Sequence, residues 1–458
     1  MKKTAAVGTI VITLGLGAEA RAQDAFAGAE FQVNTYTTSN QEVPAVASDS
    51  VGNFVIVWQS LTQDGDATGI FGQRFDNTGA TQGTEFPVNM ITADVQEKPA
   101  VTYDGKGNFI AVWESHNYDG SAEGVAGQRF DSAGAAIGTE FQANTYTTGA
   151  QEHATVGADA MGNFVMLWDS DGQDGSAEGI FGQRFSSTGA PVGTEFQANT
   201  YTTNEQEDPD VAMDGAGNFV VVWYSGCGDS FSCIGGQDGD RDGAFGRRFS
   251  SNGSALGTEF QINTYTRDNQ ADPKVAMDAL GNFVVAWQSF GEDGSSDGIF
   301  AQRFNATGAR IGTEFQVNTY TTGSQENPRI ASDPSGNFAV VWTSRGVEGN
   351  SNDGVAGQRF SSSGERVGTE FIVNTYTTRD QSVPAIASSS NNFVVTWQSY
   401  QDGDLGGIFA RRLREITPPQ SAPALSARTL VFLTAALLVI GVGSLRRIRR
   451  RALPPKNV

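Results

Sequence analysis

Acidic turns recur along this chain at a spacing that suits a hard cation. In "QDGDRDG" three aspartates alternate with other residues, and related loops repeat part of the pattern. The aspartates of the clearest copies are Asp64, Asp66, Asp238, Asp240, Asp242, Asp293 and Asp297. Alternate side-chain oxygens in a tight glycine turn are ligands for Ca²⁺, whereas Asp-Gly-Ser is also ordinary turn chemistry. The sequence leaves both alternatives open and predicts no other cofactor.

Two further sets of charged residues recur. Glutamate follows glutamine before the first apolar stretch of five units, at Glu42, Glu97, Glu152, Glu207 and Glu326. A ring of these carboxylates would attract a cation or a basic ligand, and the alternative is solvated loop charge. The arginines of the "QRF" segments, such as Arg129 and Arg184, are predicted to pair across strands with glutamates such as Glu140 and Glu195.

The recurrence of these residues argues against catalysis. An active site brings a few different residues to one point, whereas near-identical units supply several copies of the same residue. The histidines, His116 and His153, fall in no metal-binding spacing. The asymmetric element is residues 224–243, where Cys227 and Cys233 are predicted to form a local disulfide. We therefore predict a protein that is not an enzyme, with a glycan-active hydrolase or lyase as the alternative.

Seven tryptophans reveal the architecture that carries these residues. They recur every 55 residues, except for one interval of 64 between Trp223 and Trp287. Each unit holds four short β-prone stretches, such as "NFVIVWQ" and "GIFGQRF", separated by glycine-rich turns. Seven four-stranded units predict an all-β, seven-bladed β-propeller. A string of seven small sandwiches is disfavoured, because each unit would have too little core.

The two ends of the repeat region complement each other. "EFQVN" at residues 30–34 has no unit before it, and the last unit stops after "GIFARRL". The N-terminal segment is therefore predicted to supply the fourth strand of the seventh blade and so close the ring. The hairpin in "SDSVGNFVIVW" resembles the Asp-box turns of sialidase-type propellers, which are structural. The longer loops, after the second and fourth strands, share the face where function is expected.

The termini predict export and a membrane anchor. Residues 1–22 are typical of a signal peptide, and 24–416 form the predicted propeller. A proline-rich linker at 417–428, an apolar transmembrane helix at 429–445 and a basic cytoplasmic tail at 446–458 follow. The segment "APALSARTLVFLTAALLVIGVGSLRRIRRR" resembles C-terminal sorting signals of the IPTL type. That resemblance implies processing by an exosortase-like membrane protease, and a retained anchor is the alternative.

The net charge of the chain reduces the number of plausible partner classes. A net charge of −21 disfavours nucleic acid as a partner. The principal prediction is an exported cell-envelope protein, anchored or sorted, that acts in binding, adhesion or scaffolding toward an extracellular protein or glycan. A glycan-active enzyme on the acidic loop face and a structural surface component are the alternatives.

Overall fold

The computed structural model describes residues 26–226, 235–389, 392–403 and 405–414. They form 28 strands in seven four-stranded antiparallel sheets, each of which is one blade. The all-β, seven-bladed propeller predicted from the tryptophan spacing is therefore confirmed. Within the described residues no helix is long and apolar enough to cross a membrane. The predicted signal peptide, linker, transmembrane helix and tail, and the cysteine pair Cys227 and Cys233, lie outside the described residues.

The strands are numbered in chain order and occupy four layers from the channel outward. The innermost strands are β2 (Gln41–Ser48), β6 (Gln96–Tyr103), β10 (Gln151–Ala158), β14 (Glu205–Met213), β18 (Gln270–Met277), β22 (Gln325–Ser332) and β26 (Gln381–Ser388). The second strands are β3 (Phe54–Leu61), β7 (Phe109–His116), β11 (Phe164–Asp171), β15 (Phe219–Gly226), β19 (Phe283–Phe290), β23 (Phe338–Arg345) and β27 (Asn392–Ser399). The third strands are β4 (Thr68–Phe75), β8 (Glu123–Phe130), β12 (Glu178–Phe185), β16 (Gly243–Phe249), β20 (Asp297–Phe304), β24 (Asp353–Phe360) and β28 (Gly407–Arg414). The outermost strands are β5 (Thr81–Pro87), β9 (Ala136–Gln142), β13 (Phe196–Gln197), β17 (Phe260–Gln261), β21 (Arg310–Gln316), β25 (Arg366–Ile372) and β1 (Phe31–Gln32).

The core lies between neighbouring blades. The second strands are almost continuously apolar because both of their faces are covered. Trp58 and its six counterparts are fully buried. In the first blade Trp58 packs in one cluster with Val394 and Ile408 of the seventh blade. Each tryptophan thus helps to join two blades, so that neighbouring blades share one core cluster.

The N-terminal segment closes the ring as predicted. In β1, Phe31 pairs with Ala410 and Gln32 pairs with Phe409 of β28. The Asn34 side chain accepts a hydrogen bond of 2.8 Å from the backbone N–H of Ile408. The seventh blade therefore contains strands from both ends of the repeat region.

The hairpins between the first and second strands are structural, as their resemblance to Asp-box turns implied. Asp49 Oδ1 accepts hydrogen bonds from the N–H groups of Val51 at 3.0 Å and Asn53 at 2.9 Å. The Asn53 side chain in turn accepts a hydrogen bond of 3.2 Å from the N–H of Asn77 in the next hairpin. These aspartates hold turns together on the face opposite the long loops.

The predicted pairing of the "QRF" arginines with glutamates of the same blade is wrong. Arg129 donates hydrogen bonds of 2.8 and 2.7 Å to the carbonyls of Thr188 and Ser187, in a hairpin of the next blade. Glu195 accepts hydrogen bonds of 2.8 and 3.0 Å from the N–H and hydroxyl of Thr145, in the preceding interblade linker. Both side chains thus satisfy backbone groups of adjacent blades, which would otherwise lack partners inside the protein.

A double-mutant cycle on Arg184 and Glu195 should therefore give a coupling free energy of about 0.3 kcal/mol or less. Each single alanine variant should lose about 1 kcal/mol of unfolding free energy, because each removes its own interblade hydrogen bonds. Chemical denaturation measures both quantities. The cycle between Glu195→Ala and Thr145→Val is the positive control, since those residues are in contact. A coupling of about 1 kcal/mol between Arg184 and Glu195 would restore the cross-strand pair.

Candidate functional site

Every innermost strand contains a β-bulge at its start. In the third blade, Glu152 pairs with Asp169 and Thr155 pairs with Leu167, so two residues face one on the partner strand. The first residue of each bulge has a left-handed backbone, with φ between 48° and 54°, and these residues are Val43, Lys98, His153, Asp208, Asp272, Asn327 and Val383. Bulges redirect side chains and are enriched near active sites. Holding non-glycine residues in this conformation costs about 1–3 kcal/mol each.

Four of the bulges are held by the preceding blade. At these junctions the residue after the buried tryptophan, which is Gln59, Glu114, Asp169 or Gln288, accepts a hydrogen bond from a bulge N–H of the next blade. Glu114 accepts such a bond of 2.6 Å from His153, and Asp169 accepts one of 3.2 Å from Asp208. Gln59 does the same for Lys98 at 3.0 Å. The blade junctions thus present a series of different side chains at the channel mouth, on the face of the long loops.

The innermost strands enclose a cavity of about 480 Å³. Its wall is apolar where the seventh and first blades meet, at Val43, Pro44, Val383 and Pro384. The rest of the wall carries charged side chains from the second to the sixth blades, which are Lys98, His153, Asp208, Asp210, Lys274 and Arg329. The cavity is therefore strongly asymmetric even though the fold is repetitive.

A buried carboxylate backs one side of this cavity. The Glu114 side chain is fully buried, and its Oε2 lies 3.1 Å from Lys98 Nζ. Burial raises the pKa of Glu114 to about 7, although Lys98 and His153 favour the charged form. Burial alone would lower the pKa of Lys98, but Glu114 and Glu152 raise it above its usual value. Lys98 is therefore charged at neutral pH, whereas Glu114 is close to its midpoint.

His153 lies between two aspartates. Its Nδ1 is 2.7 Å from Asp169 Oδ2, and its Nε2 is 3.4 Å from Asp208 Oδ1. Burial alone would lower the pKa of His153, but Asp169 and then Asp208 raise it to about 10. His153 is thus an imidazolium at neutral pH and fixes the position of both carboxylates.

His153 should therefore make stability depend on pH in a defined window. Its pKa is raised on folding, so its stabilising contribution is complete below about 6.5 and is lost as pH rises to about 10. The His153→Asn variant keeps a residue that tolerates the left-handed backbone and should lack this dependence. Unfolding free energies across the window measure the difference between the two proteins. Other groups, such as Glu114, titrate in both proteins, so parallel curves would contradict the prediction.

Asp208 and Asp210 both line the cavity but have opposite protonation tendencies. Burial alone would raise the pKa of Asp208, but the His153 imidazolium and the Lys274 ammonium hold it below its usual value. Burial raises the pKa of Asp210, and Lys274 offsets only part of that effect. Asp210 Oδ2 accepts a hydrogen bond of 2.8 Å from the N–H of Val275 in the next blade. The cavity thus holds one carboxyl group whose pKa is lowered and one whose pKa is raised.

A second acidic cluster lies beside this cavity. Carboxylate oxygens of Glu178, Glu205 and Glu207 approach within 4.8 Å of one another, and so do ligand atoms of Glu152, His153 and Asp169. Burial raises the pKa of Glu207 to about 8, even though the Tyr224 hydroxyl donates a hydrogen bond to it. Among the described residues these two groups have metal-ligand proximity.

The seven aspartates of the predicted calcium loops lie outside these two groups. Three of them, Asp64, Asp238 and Asp293, accept a hydrogen bond from the N–H two residues later, at 3.2, 3.1 and 2.9 Å. The second oxygens of Asp238 and Asp293 each accept one from an asparagine at 3.3 Å. The Asp240 carboxylate accepts a hydrogen bond from the N–H of Asp268. Asp242 is buried, and Asp297 is the first residue of β20. Calcium binding at these loops stays a prediction.

The predicted glutamate ring is divided among local partners. Glu42 accepts a hydrogen bond of 2.8 Å from Asn40, and Glu97 lies 3.0 Å from the His116 ring. Glu152 is 3.8 Å from Lys98 Nζ, and Glu207 contacts Tyr224. These glutamates therefore have different partners from blade to blade, and one of those partners, Lys98, is a bulge residue.

No protein-family model and no curated protein matches this chain. Among solved structures, a protein of unknown function from Dyadobacter fermentans is 9% identical, with a TM-score of 0.51 over 84% of this chain and 98% of the other. The polysaccharide lyase Uly1 has a TM-score of 0.48 at 9% identity, covering 87% and 95% of the two chains. The GH93 α-L-arabinofuranosidase of Fusarium graminearum has a TM-score of 0.46 at 10% identity, covering 84% and 97%. At these identities the similarity shows the β-propeller fold alone.

The prediction that the protein is not an enzyme rested on the uniformity of the units, and that premise is wrong. The cavity lining differs from blade to blade, so the fold brings different charged side chains to one point. Lys98, His153, Asp208, Lys274 and Arg329 were not predicted from the sequence, although they differ between units. Their signal is visible when the units are compared, because the first and third positions after "QE" vary within an otherwise constant frame.

Proposed function

We propose that the protein is an enzyme that cleaves glycosidic bonds in a glycan chain at the mouth of the channel. The observation that carries this proposal is the pair Asp208 and Asp210, which line one cavity and have pKa values shifted in opposite directions. Glycoside hydrolysis uses two carboxyl groups in different protonation states. In this proposal Asp210 donates a proton to the leaving oxygen. Asp208 is the carboxylate that activates water or attacks the sugar.

The shape of the cavity supports a sugar as the substrate. A sugar ring has apolar faces and polar edges, and the cavity has an apolar wall near Val43 and Val383 opposite its charged wall. Solved structures of the same fold are named as enzymes that act on such chains, and that likeness extends to the fold alone. Of the functions suggested by the sequence, cleavage is better supported than binding, because simple adhesion needs no pair of carboxyl groups with pKa values shifted in opposite directions.

A lyase is the second candidate, and the cations of the cavity favour it. Elimination in a uronic-acid chain requires a positive charge beside the sugar carboxylate, and Lys274 and Arg329 supply two such charges. Hydrolysis and elimination give different products. Both reactions create a new reducing end. Elimination also leaves a double bond in the sugar at the new non-reducing end, and this double bond absorbs ultraviolet light.

The test is a screen of the full-length protein against neutral and acidic polysaccharides, with both products measured. We expect new reducing ends from at least one polymer, and loss of that activity in Asp208→Asn and Asp210→Asn. Ultraviolet absorbance that rises with the reducing ends would assign a lyase. A folded protein that cleaves none of the polymers would overturn the proposal. The predicted signal peptide would bring the enzyme to polymers outside the cytoplasm.

A further inference from the structure

The charged lining of the cavity consists of the cations Lys98, His153, Lys274 and Arg329 and the anions Asp208 and Asp210. Glu114 and Asp169 lie within ion-pair distance of Lys98 and His153 and offset their charges. Lys274 and Arg329 interact electrostatically with the lining aspartates and with the buried Asp272. Among the lining cations, these two are therefore the groups that can attract an anionic group to the cavity of this acidic protein.

The four cations differ in their partners. Lys98 lies 3.1 Å from Glu114, and His153 lies 2.7 Å from Asp169. Within the part of the chain that the structure describes, no carboxylate oxygen lies within 4.0 Å of the charged nitrogens of Lys274 or Arg329. Arg329 Nη1 donates a hydrogen bond of 2.9 Å to the Pro328 carbonyl. Lys274 and Arg329 are thus available to an incoming anion.

These two cations lie next to each other and next to the proposed proton donor. Asp210, Lys274 and Arg329 occupy the same position in three consecutive blades. Each lies two residues after the first residue of the bulge in its strand. The innermost strands of these blades, β14, β18 and β22, contact one another in that order. An anion held by Lys274 and Arg329 would therefore place its sugar unit beside Asp210.

We propose that Lys274 and Arg329 bind the anionic group of an acidic sugar unit, so that the substrate is an acidic glycan. Arginine offers a planar fork that binds a carboxylate or sulfate through two parallel hydrogen bonds, and lysine adds a point charge. The inference rests on the proposed function for the sugar itself. Uronate carboxylates and sulfate esters share this chemistry, and the experiment separates them.

The experiment measures binding by calorimetry, so that its result does not depend on turnover. The probes are polygalacturonate and hyaluronan, each beside its methyl-esterified form, and chondroitin sulfate beside unsulfated chondroitin. Asp208→Asn provides a slowly cleaving background for each polymer. We expect at least one acidic polymer to bind about tenfold or more tightly than its partner that lacks the relevant charge. A difference within a methyl-ester pair indicates recognition of a carboxylate, and a difference within the chondroitin pair indicates recognition of a sulfate.

The variants Lys274→Gln and Arg329→Gln should each weaken that binding about tenfold, and Arg329→Lys should recover part of it. Lys106→Gln is the matched control, because Lys106 is an exposed lysine in a hairpin remote from the cavity lining. Melting curves establish that each variant is folded. The inference is overturned when no acidic polymer exceeds its charge-masked partner, or when both variants bind like wild type. Binding of an acidic polymer without cleavage by wild type would instead reject the proposed function alone.

Discussion

Asp208→Asn should lower kcat for glycan cleavage about a thousandfold, because the variant has no ionised carboxylate at the sugar. Asparagine is close in size to aspartate and tolerates the left-handed backbone that Asp208 adopts, with φ of 51°. The fold should therefore persist, and the loss should appear in kcat more than in KM. Asp94→Asn is the matched control, because Asp94 is an exposed aspartate with a φ of 62°.

Asp210→Asn should cause a loss of similar size on natural glycans and a smaller loss on aryl glycosides. A good leaving group needs little protonation, so the missing proton donor matters less. The pH profile separates the two residues. Wild-type activity should fall at low pH as Asp208 becomes protonated, and at high pH as Asp210 becomes ionised. The pH profile of Asp208→Asn should lack the fall at low pH, and that of Asp210→Asn should lack the fall at high pH. A kcat equal to that of wild type in both variants would exclude this pair from catalysis.

Deletion of residues 24–38 should reduce the unfolding free energy by about 5 kcal/mol, the second large effect. The deletion removes the pairing of β1 with β28 and the burial of Val33, which is 3% exposed. It also leaves the buried N–H of Ile408 without the Asn34 acceptor. Thermal and chemical denaturation measure the loss. A melting curve like that of wild type would reject ring closure by this segment.

A peptide of residues 26–38 supplied in trans distinguishes an open ring from a general defect. It should restore most of the stability of the deletion variant, because the edge of β28 is then free to pair. A scrambled peptide should not do so. Asn318→Ala is the matched control, since Asn318 accepts the equivalent hydrogen bond, from Ile299 at 2.9 Å, within a blade of continuous chain. The peptide should leave that variant unchanged.

Much of the fold could be predicted because it depends on local and periodic features. The buried tryptophans mark the second strand of each blade, and the unmatched "EFQVN" at residues 30–34 indicates how the ring closes. The pairing of Phe31 with Ala410 bears this out. The interblade contacts were harder to predict. Arg129 and Glu195 act on backbone groups of neighbouring blades, which a pattern within one unit does not reveal.

The candidate site was missed for a related reason. Lys98, His153 and Asp208 come from three separate units and look like isolated variations in sequence. The bulge gives each a left-handed backbone, and the junction with the preceding blade directs it to the channel. The acidic loops give a clearer pattern in the sequence because their charges are close along the chain. In the structure several of those carboxylates accept hydrogen bonds within their own turns.

The sequence by itself determined the seven-unit architecture, the order of strands within a blade and the closure of the ring. These features follow from hydrophobic alternation and turn chemistry, which act over a few residues, and from counting the units. Only the tertiary structure decided which residues share the cavity and in which direction their pKa values are shifted. That outcome depends on burial and on charges from other blades, as the opposite pKa shifts of Asp208 and Asp210 illustrate.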